Sequence, residues 1–189
     1  MNKTILLISF IFSFCSVTGQ DISFYKENIT MKIEKDYFYV TGNYYLKTNG
    51  DKSATLVYPF QVDSLMGEVD SIYIFNLTAN EPVEPLSNRR DGIVFRADFG
   101  DNTELLILIS YRQKLSGNRA EYILESTIGW RKPLDQADYQ LIIPDNLKVV
   151  RFSIPPDESI LTDTERIYYW SKTDYMPTGN MVFEFIDNK

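Results

Sequence analysis

A period of two in the apolar residues limits what this chain can fold into more than any other feature. In "ITMKIE", Ile29, Met31 and Ile33 alternate with Thr30, Lys32 and Glu34, so the two sets fall on opposite faces of a strand. In "YFYVTGNYYLKT", Phe38, Val40, Tyr44 and Leu46 share one face, and Gly42 interrupts it. Beyond the N-terminal segment, no window keeps a 3.6-residue apolar period for three turns. The apolar positions draw heavily on aromatics, with 13 Tyr and 12 Phe, and such residues suit pleated, half-buried surfaces.

Further strands are predicted in "SATLVYPF", "SIYIFNLT", "IVFRADF", "TELLILISYRQKL", "AEYILEST", "KVVRFSI", "RIYYWS" and "NMVFEFI". The run from Leu105 to Ile109 is apolar at every position, which predicts a central strand between covered faces. Asn49-Gly50 is a strong hairpin signal, and Asp91-Gly92 marks a second hairpin tip. Gly117-Asn118, Pro155-Pro156 and the segment from Pro177 to Gly179 supply other turns. These features predict an all-β fold of about ten strands, an antiparallel two-sheet β-sandwich of immunoglobulin-like or jelly-roll-like form. A single domain over 20–189 is expected. The irregular segment from Glu81 to Gly92 is where two lobes would divide.

The first nineteen residues read differently. Lys3 precedes an apolar run from Ile5 to Phe14, and small residues follow at Ser16, Thr18 and Gly19. This is the pattern of a cleaved secretory signal, with cleavage after Gly19, and the run is too short to span a membrane. A secreted, periplasmic or cell-surface location follows as an expectation. Cys15 offers a rival reading as a lipid-anchored cysteine, but bulky Phe14 before it and the lack of a polar tether after it favour simple cleavage.

Composition then narrows the chemistry. The chain has no histidine and a single cysteine, Cys15, so Ser–His and Cys–His catalysis and His- or Cys-based metal sites are excluded. No cofactor is expected. The net charge of −7, without a basic cluster longer than a pair, argues against nucleic acid as partner. Asp98 with Asp101, Asp157 with Glu158, and Asp163 with Glu165 could supply carboxylates. All of them fall in expected turns, where Asp is common for its backbone hydrogen bonds. The string "DFGDN" lacks the alternating acids of a calcium loop and reads as a hairpin loop.

Two aromatic groups stand out. In "IYYWSKTDY", Tyr168 and Trp170 share a strand face and Tyr175 lies nearby. If exposed, this set could stack on sugar rings or anchor a protein partner; otherwise it belongs to core and cross-strand packing. In "IGWRKPLDQADYQLIIPDN", Trp130 sits just past a strand end. Pro133 forbids ladder continuation and favours an extended Lys132, so Trp130 and Pro133 read as a structural corner. Ala137, Tyr139, Leu141 and Ile143 then alternate into the next strand.

The segment from Tyr122 to Pro144 resembles uncharacterised secreted bacterial β-sandwich domains. There a W-x-x-P-[IL] corner, here Trp130 to Leu134, is followed by A-x-Y-x-[IL], here Ala137 to Leu141. The segment from Glu27 to Phe60 is similar to their opening strands, with a V-x-G/V-x-Y element (Val40 to Tyr44) and a [YF]-P-[FL] element (Tyr58 to Phe60). The resemblance implies a fold and no activity. The opening strands also resemble the β-sandwich that precedes the catalytic domain of zinc aminopeptidases, whose metal-binding helix is missing from this sequence.

The leading expectation is an exported, non-enzymatic protein that contacts an envelope protein. The alternative is a module for a glycan or small ligand, with Tyr168, Trp170 and Tyr175 as its binding residues, and a carboxylate-based hydrolase comes third. The corner reading carries its own prediction. If the Trp130 ring is fully buried, Trp130→Ala should cost about 3–5 kcal/mol in denaturant unfolding, and an unchanged midpoint would return the corner to the status of a site.

Overall fold

The computed structural model describes residues 22–50 and 52–187. The expected signal segment, its cleavage point and Cys15 lie outside the described residues. The fold is all-β, as the alternation predicts. An eight-stranded sheet forms one layer in the order β12-β13-β10-β1-β2-β8-β4-β5. Its strands are β1 (Ile22–Glu34), β2 (Tyr37–Thr48), β4 (Met66–Asn76), β5 (Glu81–Pro82), β8 (Glu104–Leu115), β10 (Leu134–Pro144), β12 (Glu158–Leu161) and β13 (Glu165–Tyr175). Two three-stranded sheets complete the fold. One is β3 (Ser53–Pro59), β7 (Gly92–Asp98) and β6 (Ser87–Arg89), and the other is β11 (Leu147–Phe152), β14 (Met181–Asp187) and β9 (Arg119–Tyr122).

Both small sheets pack on the same face of the large one. Its buried positions run across the strands in register, from Ile74 through Ile109, Gly42 and Ile29 to Tyr139 and Trp170. Tyr58 and Phe60 at the end of β3 meet Tyr44 and Tyr111 on one half of that face. Phe152 of β11 and Phe183 of β14 meet Tyr168 and Trp170 on the other. One continuous cluster of buried side chains joins all three sheets.

Three expectations change. The arrangement is not a purely antiparallel pair of sheets, because β1 and β10 run parallel and the second layer is split in two. Among the described residues fourteen strands form rather than about ten, since β5, β6 and β12 have two to four residues, all exposed, and carry no apolar alternation to announce them. The Asn49-Gly50 turn does not make a hairpin. β2 pairs with β1 and β8 while β3 pairs with β7, so the chain crosses there from one layer to the other. The second turn signal does mark a hairpin, with Arg89 opposite Gly92 in the β6–β7 pair. The segment from Glu81 to Gly92 carries the chain from the edge of the large sheet into the β3-β7-β6 sheet.

β8 is central, between β2 and β4. Leu105, Ile107 and Ile109 are buried on its inner face, while Leu106 and Leu108 are only half-buried on the outer one. Of the two readings open for Tyr168 and Trp170, core packing is the one the fold adopts. Trp170 is 2% exposed and Tyr168 7%, and the Trp170 indole N–H donates to the Ile154 carbonyl at 3.0 Å. A ring this enclosed holds the β11-β14-β9 sheet down and cannot stack on a sugar. Trp170→Ala should therefore cost about 3–5 kcal/mol, read as a lower urea midpoint; a midpoint matching the parent's would mean that the ring is not part of the core.

Candidate functional site

The two small sheets leave a seam between them, over β1, β2 and β8. Glu27 of β1 lies there, 2% exposed, on the same inward-facing row as Ile29, Met31 and Ile33. A register shift between Phe24 and Lys26 lets Phe24 and Glu27 both face inward although they are three residues apart. Beside Glu27 in register stand Tyr44 on β2 and Ala137 on β10, and the small Ala137 side chain leaves room for the carboxyl.

Phenols surround the acid. The Tyr139 hydroxyl donates to Glu27 Oε1 at 2.5 Å, and the Tyr122 hydroxyl donates to Oε2 at 3.3 Å. Tyr44 Oη lies 3.0 Å from Tyr122 Oη and 2.7 Å from Tyr58 Oη. A hydroxyl has one proton to give. Because Tyr122 gives its proton to Glu27, it accepts from Tyr44, and Tyr44 in turn accepts from Tyr58. With Glu27 ionised, the chain Tyr58→Tyr44→Tyr122→Glu27 thus runs in one direction.

Gly42 makes this geometry fit. A Cβ there would lie 2.6 Å from ring carbons of Tyr44, so the bare glycine lets that ring lie back along β2. This interaction gives physical content to the break in alternation seen in the sequence.

Burial pushes the Glu27 carboxyl up to about 7, against the opposing pull of the Tyr139 and Tyr122 hydroxyls. Burial likewise drives the Tyr44, Tyr58 and Tyr122 phenols well above their ordinary range. Among the described residues no lysine or arginine forms an ion pair with Glu27.

Next to the acid is a cavity of about 80 Å³. Phe24, Leu46, Leu56, Phe95, Ile107 and Ile109 give it apolar walls, while Glu27, Tyr44, Tyr58 and Tyr122, with Ser126 and Thr127, supply the polar groups. Residues of a 3-10 helix, Glu125–Trp130, also line it. Trp130 is half-buried there, with its ring 5.9 Å from that of Phe24. Arg131 ends the helix in the left-handed conformation, φ 56°, and Pro133 precedes β10, which begins at Leu134. Trp130 at the end of the helix lines the cavity, and Pro133 lies in the short link to β10. A half-buried ring places the cost of Trp130→Ala below the range for a fully buried one.

Of the three residues predicted to bind a ligand, only Tyr175 comes near this place. Its ring stands 6.4 Å from that of Tyr139, and the Glu27 charge adds to the burial that raises its phenol. Tyr168 and Trp170 belong to the core under β11 and β14. The acids expected in turns are engaged elsewhere, two of them, Asp98 and Glu165, at strand ends. Asp98 accepts from the Gly100 amide, Asp101 pairs with Lys52, Asp157 with Lys172 and Glu165 with Lys32.

No protein-family model matches the chain, and no curated protein sequence matches it. Among solved structures it is similar to a "putative nutrient binding protein" from Legionella pneumophila, with a TM-score of 0.69 at 10% identity. The match covers 88% of this chain and 67% of that one. A likeness at such low identity is one of fold.

The buried acid makes stability depend on pH in a stated direction. The carboxyl has an ordinary value of 4.5 and is raised to about 7 in the fold, so the native state holds a proton that the unfolded chain has released. Stability is then lost as pH rises from about 4.5 to about 7, by about 3 kcal/mol in all. Glu27→Gln should remove that loss. Its urea midpoint, compared with the parent's, should gain between pH 5 and pH 8; equal pH profiles for the two proteins would show that Glu27 is not held neutral.

Proposed function

We propose that the protein is an exported, non-enzymatic binding protein that takes a small ligand into the seam between its two small sheets. The observation that carries this reading is the cavity itself, with apolar walls and a buried carboxyl and three phenols converging on one side. Such a concave, mostly apolar site with a few placed polar groups is the usual form of a small-molecule pocket. Perturbed acids in such places are functional candidates. The provisional nutrient-binding description of the Legionella protein that shares this fold points the same way.

A non-enzymatic role fits the site because its lining includes one carboxyl, whereas glycoside hydrolysis uses two acids about 5–10 Å apart. A second hollow, bordered by Lys35, Asp36, Gly117 and Asn118, has no buried acid in its lining. The ligand site proposed here replaces the surface set of Tyr168, Trp170 and Tyr175.

Contact with an envelope protein is a second reading with its own observation. β12 forms an edge of the large sheet, and its Leu161 is 63% exposed. Such an edge offers a partner strand free backbone groups.

The pocket is tested by filling it. A small-molecule library read by thermal shift should give hits that raise the parent's melting temperature by several degrees at saturating concentration. Leu56→Trp, which places an indole in the cavity, should keep its fold and lose those shifts. Hits that stabilise the variant as well as the parent would place binding elsewhere.

A further inference from the structure

We infer that the seam pocket selects a small organic cation of the quaternary-ammonium class, with Glu27 as its counter-ion. The inference deepens the ligand-binding reading and rests on it.

Three features of the site favour a cation over a neutral or anionic ligand. First, Glu27 has no cationic partner among the described residues, although it is enclosed by the fold. The groups that face it are phenols from every element packed against it. They are Tyr44 on β2, Tyr122 on β9 and Tyr139 on β10, with Tyr58 of β3 behind Tyr44 and Tyr175 of β13 behind Tyr139. A buried carboxylate without a positive neighbour is costly, and a cation bound in the adjoining cavity supplies that neighbour.

Second, the cavity is walled by aromatic rings. Phe24, Tyr44, Tyr58, Phe95, Tyr122 and Trp130 all line it. Ring faces carry negative potential and attract cations, most strongly where water is excluded.

Third, the hydroxyl protons are already committed. In the ionised state the chain from Tyr58 through Tyr44 and Tyr122 to Glu27, together with the bond from Tyr139, uses each phenol proton inside the network. The three phenols that line the cavity then offer it oxygen lone pairs and aromatic rings, and the free donors left in the lining are the small hydroxyls of Ser126 and Thr127. A quaternary ammonium group needs no acceptor of its own and donates no hydrogen bond, so it suits such a lining. A carboxylate or phosphate ligand would meet acceptors and a like charge.

Cation binding favours ionised Glu27, so the affinity should fall as the carboxyl gains its proton. The test compares choline with its uncharged isostere 3,3-dimethylbutan-1-ol by titration calorimetry on the whole protein, at about pH 8 and about pH 6. Choline should bind about tenfold or more tighter than the alcohol at the higher pH and lose about tenfold at the lower one, as expected for an acid raised to about 7. The alcohol should bind alike at both. In Glu27→Gln, shown to be folded by its circular dichroism and melting, the affinity for choline should drop to that of the alcohol.

An alcohol that binds as tightly as choline at the higher pH overturns the cation and leaves the pocket standing. So does choline binding that ignores both pH and the Glu27→Gln change. Silence from both probes also overturns the cation. The Leu56→Trp comparison with library hits then decides separately whether the pocket survives.

Discussion

An eight-stranded sheet with one apolar face must have that face covered across its full width, roughly 34 Å at the usual strand spacing. A three-stranded sheet spans less than half of this. The chain meets the requirement with two such sheets, one set against Tyr44 and Tyr111 and one against Tyr168 and Trp170, and two covers leave a joint. Away from the joint, packing is between apolar side chains such as Phe183 against Trp170. At the joint the sheets diverge, and an acid, a group of phenols and a small cavity occupy the space. The place of the candidate site follows from how the second layer is divided.

Burying Glu27 there opposes folding at neutral pH, because desolvation of its charge outweighs the two hydroxyls that bond to it. A fold under no other demand would place a hydrophobic residue on that inward row, where Ile29, Met31 and Ile33 already sit. The surrounding structure is instead shaped to keep the acid. β1 carries a register shift one step before it, Gly42 gives the Tyr44 ring its space, and Ala137 stands small beside it. Local rules broken together around one group are the mark of a site rather than of a core.

The inward faces of β1 and β2 were legible in the sequence because alternation reports burial directly. Phe38, Val40, Tyr44 and Leu46 do share one side of β2, although Tyr44 is less buried than the rest. Strand neighbours were not legible. Nothing in the alternation of β1 and β10 says that they run parallel, and the Asn49-Gly50 signal describes a tight turn without saying whether the flanking strands pair. The aromatic pair Tyr168 and Trp170 could not be assigned to core or surface, since both faces of β13 carry large side chains. Glu27 was missed because the alternation was followed only from Ile29 onward. Two residues earlier it lands on an acid, and an acid on an inward-facing row was the available signal.

The resemblance to secreted β-sandwich domains rests on a V-x-G/V-x-Y element, a [YF]-P-[FL] element and a W-x-x-P-[IL] corner, which are marks of fold. In three dimensions they meet. Gly42 seats the Tyr44 ring, Tyr44 bonds to Tyr58, and Tyr58, Tyr122 and Trp130 line the cavity with Glu27. Tyr139, from the A-x-Y-x-[IL] run after the corner, holds the other carboxyl oxygen of Glu27. Segments separated by dozens of residues are drawn to one seam, and each contributes the side chain that its pattern specifies. A corner needs a proline and a buried ring, and a strand needs alternation, but neither requires a phenol aimed at a carboxyl. Tyr44, Tyr122 and Tyr139 thus share a hydrogen-bond network with Glu27 that alternation alone does not require.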